Sequence, residues 1–308
     1  MIEAEETFGG TWPYAPQYFA ESGFRQHFVD EGPRNTGETF VCLHGEPTWG
    51  YIYRNFVPRL SELGRVIIPD HMGFGKSETP QDREYSVMEH CDNLDALLLS
   101  LDARDVTLIG QDWGGPIGTH FATRHPERIK RFFYIDSFPR LGVPANIDMA
   151  VLAREGATPW AEFFTSEAFD PVMSHLGRSI LSILKLVGFT NHDVITDEWL
   201  RAYSSPFPTP ESCKGAKAFP MNTMNPAGFT YLEEAIKQPG ITEALREKPA
   251  MAVMGEHDRT LPKILAEGMF REIWEDAPFI TLPGVGHFAQ EDAPITLVSM
   301  IEQFVRSR

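Results

Sequence analysis

The chain has 308 residues, of which 42% are hydrophobic and 23% charged, a balance that excludes disorder, collagen and coiled coil. Its formal net charge of −16 argues against nucleic-acid phosphates or an anionic membrane as partner. Three scattered cysteines (Cys42, Cys91, Cys213) form neither a disulfide framework nor a zinc site. The acidic opening differs from a basic signal peptide. The longest strongly apolar stretch, residues 179–189, holds Lys185 and falls short of the roughly 20 residues a bilayer needs. A cytoplasmic protein is expected.

In chain order, compact apolar runs occur at Thr39-Phe-Val-Cys-Leu43, Arg65-Val-Ile-Ile68, Val106-Thr-Leu-Ile109, Arg131-Phe-Phe-Tyr-Ile135, Ala250-Met-Ala-Val-Met254 and Pro278-Phe-Ile-Thr-Leu282. Such runs read as strands buried on both faces of a parallel sheet. Helical patterns over 53–62, 88–101, 116–125, 261–274 and 295–306 alternate with them, which gives an α/β, mostly parallel doubly wound sheet. The rhythm breaks between 139 and 228, a proline-rich stretch of helical fragments without strands. The expected division is a core of 1–138 and 229–308 with a helical cap domain at 139–228, lying over one edge of the sheet.

Reacting groups in open α/β sheets sit on loops at the carboxyl ends of strands. Gly75-Lys76-Ser77 lacks the upstream glycine of a phosphate-binding loop, since Asp70 stands there. No His-Glu-x-x-His pair and no Gly-x-Ser-x-Gly occurs, and the ten histidines show no metal-ligand spacing. No metal and no cofactor is expected.

Ile109-Gly-Gln-Asp-Trp-Gly-Gly115 joins a strand to a helix, with glycines at 110 and 114 around Asp112. That is the arrangement of a sharp nucleophile elbow, with Asp in place of Ser. A carboxylate there is favoured by the helix dipole. An aspartate that merely caps the helix would leave the same local pattern. Asp258 and His287, each after a later strand, complete the order nucleophile, acid, histidine expected of a hydrolase triad. Glu256 is the substitute acid if the strand ends elsewhere, and His257 a bystander. His44-Gly-Glu-Pro47 follows the first buried strand, where such folds place one backbone donor of an oxyanion hole. Glu46 and Trp113 are therefore the expected oxyanion donors.

These residues resemble the haloalkane dehalogenases of the α/β-hydrolase fold over nearly the whole chain. The resemblance rests on His44-Gly-Glu-Pro-Thr-Trp49, Pro69-Asp-His-Met-Gly-Phe-Gly-Lys-Ser77, Gln111-Asp-Trp-Gly-Gly115, Ala202-Tyr-Ser-Ser-Pro-Phe-Pro208 and Gly286-His-Phe-Ala-Gln-Glu-Asp292. One branch of that family carries asparagine after the His-Gly pair and its acid after an earlier strand. With Glu46 and Asp258, this chain resembles instead the branch whose second halide ligand is a cap tryptophan. Trp113, next to the nucleophile, and Trp160 are the halide ligands so implied, with Trp199 a weaker candidate for the second. The implied partners are a small halogenated alkane, water and halide, bound by a monomer.

The chemistry agrees with the side chains. An ionised Asp112 attacks an sp³ carbon, expels the leaving group and becomes an alkyl ester. His287 deprotonates water to hydrolyse the ester, with Asp258 steadying the imidazolium. Indole N–H is a donor on an apolar body and suits a departing halide. The Glu46 side chain either plays no part or helps to place the hydrolytic water. Phe163, Phe164, Phe169 and Phe219 are candidates for an apolar pocket or for plain packing. An epoxide hydrolase would share the triad but needs a proton donor, for which Tyr203 and Tyr231 are available. A non-catalytic binding protein on the same scaffold is the rival from another class.

Overall fold

The computed structural model describes residues 2–34, 36–140, 142–145 and 147–307. Eight strands form one sheet: β1 (Gln17–Phe19), β2 (Gln26–Glu31), β3 (Thr39–Leu43), β4 (Arg65–Pro69), β5 (Val106–Asp112), β6 (Ile129–Ser137), β7 (Ala250–Gly255) and β8 (Phe279–Leu282). Their order is β1-β2-β4-β3-β5-β6-β7-β8. β1 and β2, and β2 and β4, pair antiparallel, and every other pair is parallel. Every residue of β3, β4 and β5 is buried, as expected of strands covered by helices on both faces. β8 lies at the open edge and is only half-buried along its length, so the expectation of burial on both faces fails there.

The crossover helices fall close to the apolar patterns. Val87–Ser100 is capped by the Ser86 side chain, which accepts from the Glu89 N–H. Gly114–Arg124 starts directly after Asp112 and Trp113. The expected helix over 53–62 is instead a 3₁₀ turn, Gly50–Tyr53, followed by one helical turn, Val57–Leu60, which begins with a proline inside its first turn.

Between β6 and β7 the described residues hold helices and no strand. Thr158 caps Pro159–Phe164 and Thr196 caps Asp197–Ser204, each side chain accepting a backbone N–H. This layer lies over the carboxyl ends of the strands rather than beside an edge. The Trp49 indole donates to the Ala202 carbonyl at 2.9 Å, the Trp160 N–H to the Arg259 carbonyl at 3.5 Å and the His287 N–H to the Gly188 carbonyl at 3.0 Å. Helix Pro226–Lys237 crosses the expected boundary at 228 and returns to the sheet layer. There Tyr231 stacks on His120 of helix Gly114–Arg124, ring centroids 4.6 Å apart.

Three histidines pack where the layers meet. The His71 N–H donates to His44 Nε2 at 2.9 Å, and His90 lies buried between His71 and Phe219. Both ring nitrogens of His90 lack a partner among the described residues, and burial lowers its pKa to about 3, with His44 adding to the shift. The unfolded ring takes up a proton below about pH 6.5, while the folded ring stays neutral to about pH 3, so stability falls as pH drops through that window. Between pH 6.5 and 5 the loss from this ring is about 2 kcal/mol. His90→Leu is expected to reduce the loss of unfolding free energy between these pH values by that amount, checked by urea denaturation at both. Equal acid sensitivity in both proteins would contradict it.

Candidate active site

β3 and β5 are hydrogen-bonded neighbours, so the loop after Leu43 lies against the end of β5. Asp112 sits at that end with φ +48°, the left-handed region that few non-glycine residues enter outside functional turns. The Glu46 N–H donates to Asp112 Oδ2 at 2.8 Å, and the adjoining Trp113 N–H helps to hold the same carboxyl's pKa down. The close approach requires glycine on both sides: a Cβ on Gly45 would overlap the Asp112 carboxyl, and one on Gly114 the Leu43 carbonyl oxygen. Burial raises the Asp112 pKa, while the His287 charge and the two N–H groups hold it down. Asp112 is buried, with 9% of its surface accessible.

His287 follows β8, and its Nδ1 lies 2.8 Å from Asp258 Oδ2, both side chains being almost wholly buried. Asp258 Oδ1 accepts from the N–H groups of Thr260 and Leu261 at 2.7 and 3.1 Å, which fixes the carboxylate in a turn. Burial opposes charge on the ring, but Asp258, Asp112 and Asp136 outweigh it and push His287 up to about 9. Against this, the Gln111 amide takes a hydrogen bond from the Gly45 N–H through Oε1, so its NH₂ faces His287 Nε2 at 3.1 Å. That NH₂ only donates and therefore favours the neutral ring, with its proton on Nδ1 and the Nε2 lone pair accepting from Gln111. The sequence motif alone gives Gln111 no part of its own. Its position before Asp112 at the end of a strand, facing the opposite way, was the available signal.

Glu46 is buried, and neither carboxyl oxygen has a partner among the described residues. Burial, then the nearby Asp112 and Cys213, hold its pKa well above the usual carboxylate range. Glu256 points elsewhere and accepts the Gly284 N–H, and His257 is exposed. Asp136, unmarked in the sequence because it ends an apolar strand, lies beside Asp258 and His287.

Trp113 stacks face to face on Phe219 of helix Lys214–Asn222, centroids 5.2 Å apart. Trp160 is buried against Phe163 and Phe164 on the helix tied to the loop after Asp258. Among the described residues neither indole N–H of this pair meets a protein acceptor, whereas Trp49 and Trp274 donate to the Ala202 and Leu245 carbonyls. Trp199 and Trp12 also lack acceptors, but they are packed among Phe189 and Tyr203, and among Tyr14 and Trp49, respectively. Tyr203 donates to buried Glu291, and Tyr231 lies on the outer face with Arg124 and Asp92. Neither tyrosine is placed as an acid toward Asp112.

Gly114→Ala is expected to overpack the elbow against a backbone atom and to cost about 1–3 kcal/mol. Urea denaturation of the variant measures it, and an unchanged midpoint would show that the turn can relax.

Residues 38–294 match the family described as the alpha/beta hydrolase fold. A haloalkane dehalogenase of Psychrobacter cryohalolentis is 30% identical over 299 residues, 92% of this chain and 88% of that protein. A cis-3-alkyl-4-alkyloxetan-2-one decarboxylase of Shewanella oneidensis is 39% identical over 128 residues, 41% of this chain and 39% of that protein. Among solved structures, a tyrosine-to-tryptophan mutant of the haloalkane dehalogenase DatA of Agrobacterium tumefaciens superposes with a TM-score of 0.77 at 24% identity, covering 97% of this chain and 99% of that one, which speaks for the fold. Taken with the site's geometry, the near full-length likeness decides the matter: the chain belongs to the haloalkane dehalogenases of the α/β-hydrolase fold.

Proposed function

We propose that the protein hydrolyses haloalkanes to alcohol, halide and a proton through an alkyl ester on Asp112. The observation that carries this reading is a buried carboxyl receiving the Glu46 N–H at the end of β5 while an imidazole paired with Asp258 stands at the same end of the sheet. Asp112 attacks the carbon bearing the halogen, the C–O bond forms as the carbon–halogen bond breaks, and the electron pair leaves with the halide. The indole N–H groups of Trp113 and Trp160 receive that halide. Indole supports a weakly basic anion without a competing charge.

Alkylation removes the charge on Asp112 that helps to raise His287, so the ring's pKa drops in the ester. The nucleophile's own consumption thereby turns His287 into a base. Water gives its proton to Nε2 and attacks the ester carbonyl, Asp258 stabilises the imidazolium, and the Glu46 and Trp113 N–H groups take the oxyanion. Each such donor contributes about 3–4 kcal/mol. Glu46, with two unpartnered oxygens, orients the attacking water. The helices of residues 139–228 act as the cap that keeps the chamber dry, and the protein works as a cytoplasmic monomer without metal or cofactor.

The partial likeness to a β-lactone decarboxylase favours one second reading, in which Asp112 opens a strained lactone ring. Carbon dioxide release from a cis-dialkyl β-lactone, without halide release from bromoalkanes, would select it.

His287→Phe is expected to leave alkylation intact and to stop turnover, giving about one halide per enzyme and a covalent adduct on Asp112 by mass spectrometry. Sustained turnover would remove His287 from its role. In the unaltered enzyme, ester decay followed by rapid quench should rise with pH with an apparent pKa below the free ring's value of about 9. A midpoint at or above 9 would contradict the loss of the Asp112 charge as the trigger.

A further inference from the structure

Asp292 closes the motif that carries His287 and ends the helical turn Ala289–Asp292. Its Oδ2 accepts the N–H of Gly286, the residue before the histidine, at 2.7 Å. Its Oδ1 accepts the N–H groups of Asn191 and Thr190, in the helical layer, at 2.7 and 3.1 Å. One carboxyl group is thus divided between the histidine loop and the segment that lies over it. The same segment holds the loop from its other side. Helix Leu176–Val187 ends at Gly188, whose φ of +129° suits glycine, and the Gly188 carbonyl accepts the His287 N–H at 3.0 Å. The Val187 carbonyl accepts the N–H of Arg259, next to Asp258, at 3.1 Å. The fit leaves no room for side chains. A Cβ on Gly188 would lie 2.9 Å from the His257 carbonyl oxygen and 3.1 Å from the His287 nitrogen, and one on Gly286 would overlap the Gly188 carbonyl oxygen. The turn of Asp112 is held differently, by the Glu46 N–H and by the close approach of Gly45 and Gly114 to neighbouring backbone at the ends of β3 and β5.

We propose that Asp292 and Gly188 are positioning residues for His287, the two halves of a clamp through which the helical layer sets the water-activating part of the site, while the sheet alone sets the nucleophile. A fastening that served stability alone could join this layer to the sheet anywhere. This one takes the consecutive N–H groups of residues 286 and 287 and a third beside Asp258, so it fixes the backbone that carries both members of the pair. With segment 187–191 withdrawn, His287 loses its backbone acceptor and Asp292 loses two of its three donors. A base misplaced by about 1 Å costs about 100-fold in rate. Attack by Asp112 transfers no proton to His287, so the clamp acts on ester hydrolysis and leaves alkylation alone. The proposal rests on the dehalogenation assigned above.

The test uses Asp292→Ala and Gly188→Ala in the full chain, with a bromoalkane as substrate. Rapid quench separates alkylation from ester hydrolysis, and NMR follows hydrogen exchange of the Gly286, His287 and Glu46 amides. Asp292→Ala is expected to slow ester hydrolysis about 10- to 100-fold while the halide burst keeps the unaltered enzyme's rate, so that the Asp112 ester accumulates. Gly188→Ala, which acts from the other side, is expected to give the same split. The Gly286 and His287 amides should exchange faster in Asp292→Ala, with the Glu46 amide unchanged. A merely structural role would slow both chemical steps alike and loosen all three amides together. Equal slowing of the two steps in Asp292→Ala, or hydrolysis at the unaltered rate, overturns the proposal; if Gly188→Ala does not fold, Asp292→Ala decides alone. If even the unaltered enzyme gives no halide, the dehalogenase reading fails instead, and the amide exchange alone decides whether the clamp exists.

Discussion

A carboxyl group held out of bulk water against the Glu46 N–H is the constraint on which the rest of this structure depends. Asp112 can occupy that place only where a strand turns into a helix through a left-handed residue, since no regular element leaves its backbone donors so directed. That turn also needs the neighbouring backbone within touching distance. This is why Gly45 and Gly114 stand where any side chain would collide, and why β3 lies beside β5 although β4 intervenes in sequence. The active geometry follows from packing the sheet, before any ionisable group beyond Asp112 is considered.

The electrostatics follow from putting several acids around one imidazole. Asp112, Asp258 and Asp136 all act on His287, and Glu46 adds a fourth carboxyl beside Asp112. Four negative charges in so small a buried volume would be prohibitive. Two of the carboxyls, Glu46 and Asp136, accordingly sit far above their usual range, through burial and then their acidic neighbours. The site thus holds some of its acids as neutral groups, and each charge lost or gained during turnover shifts the protonation of those that remain. Gln111 gives this balance a fixed direction. Its amide is pinned by the Gly45 N–H and so always offers a donor to Nε2, favouring the ring state that accepts a proton from water.

Much of this was legible in the sequence, and what was not has physical reasons. The central strands are nearly pure apolar runs because both faces are covered, and they stood out, as did Asp258 and His287, which the fold pairs at 2.8 Å. β1 and β2 did not, because Gln17–Phe19 and Gln26–Glu31 lie at the antiparallel end of the sheet and carry charged and polar residues. Asp136 escaped notice for the opposite reason: it follows Phe133, Tyr134 and Ile135 in a run whose hydrophobicity hides the one ionisable residue at its tip. The helical layer was recognised by its prolines and lack of strands. Its position was not, since only tertiary contacts such as Trp49 to Ala202 tell an end of the sheet from an edge. Phe219 was noted among the cap phenylalanines without its partner, because stacking on Trp113 joins residues more than a hundred positions apart.

Those contacts also show that the helical layer is not a separable cover. Gly188 holds the His287 backbone, Trp160 holds the turn after Asp258, Ala202 holds Trp49, and Phe219 holds the indole beside the nucleophile. Asp292, in the helical turn after His287, accepts from Gly286, Thr190 and Asn191 and so ties the histidine loop to the same layer. All but the Trp49 link end on or next to a residue of the proposed chemistry. Access and catalysis are therefore coupled through the backbone. Substitutions in this layer should reach the triad through the loops that carry it, whether or not they touch the substrate, because no stretch of flexible chain lies between the two to absorb the change.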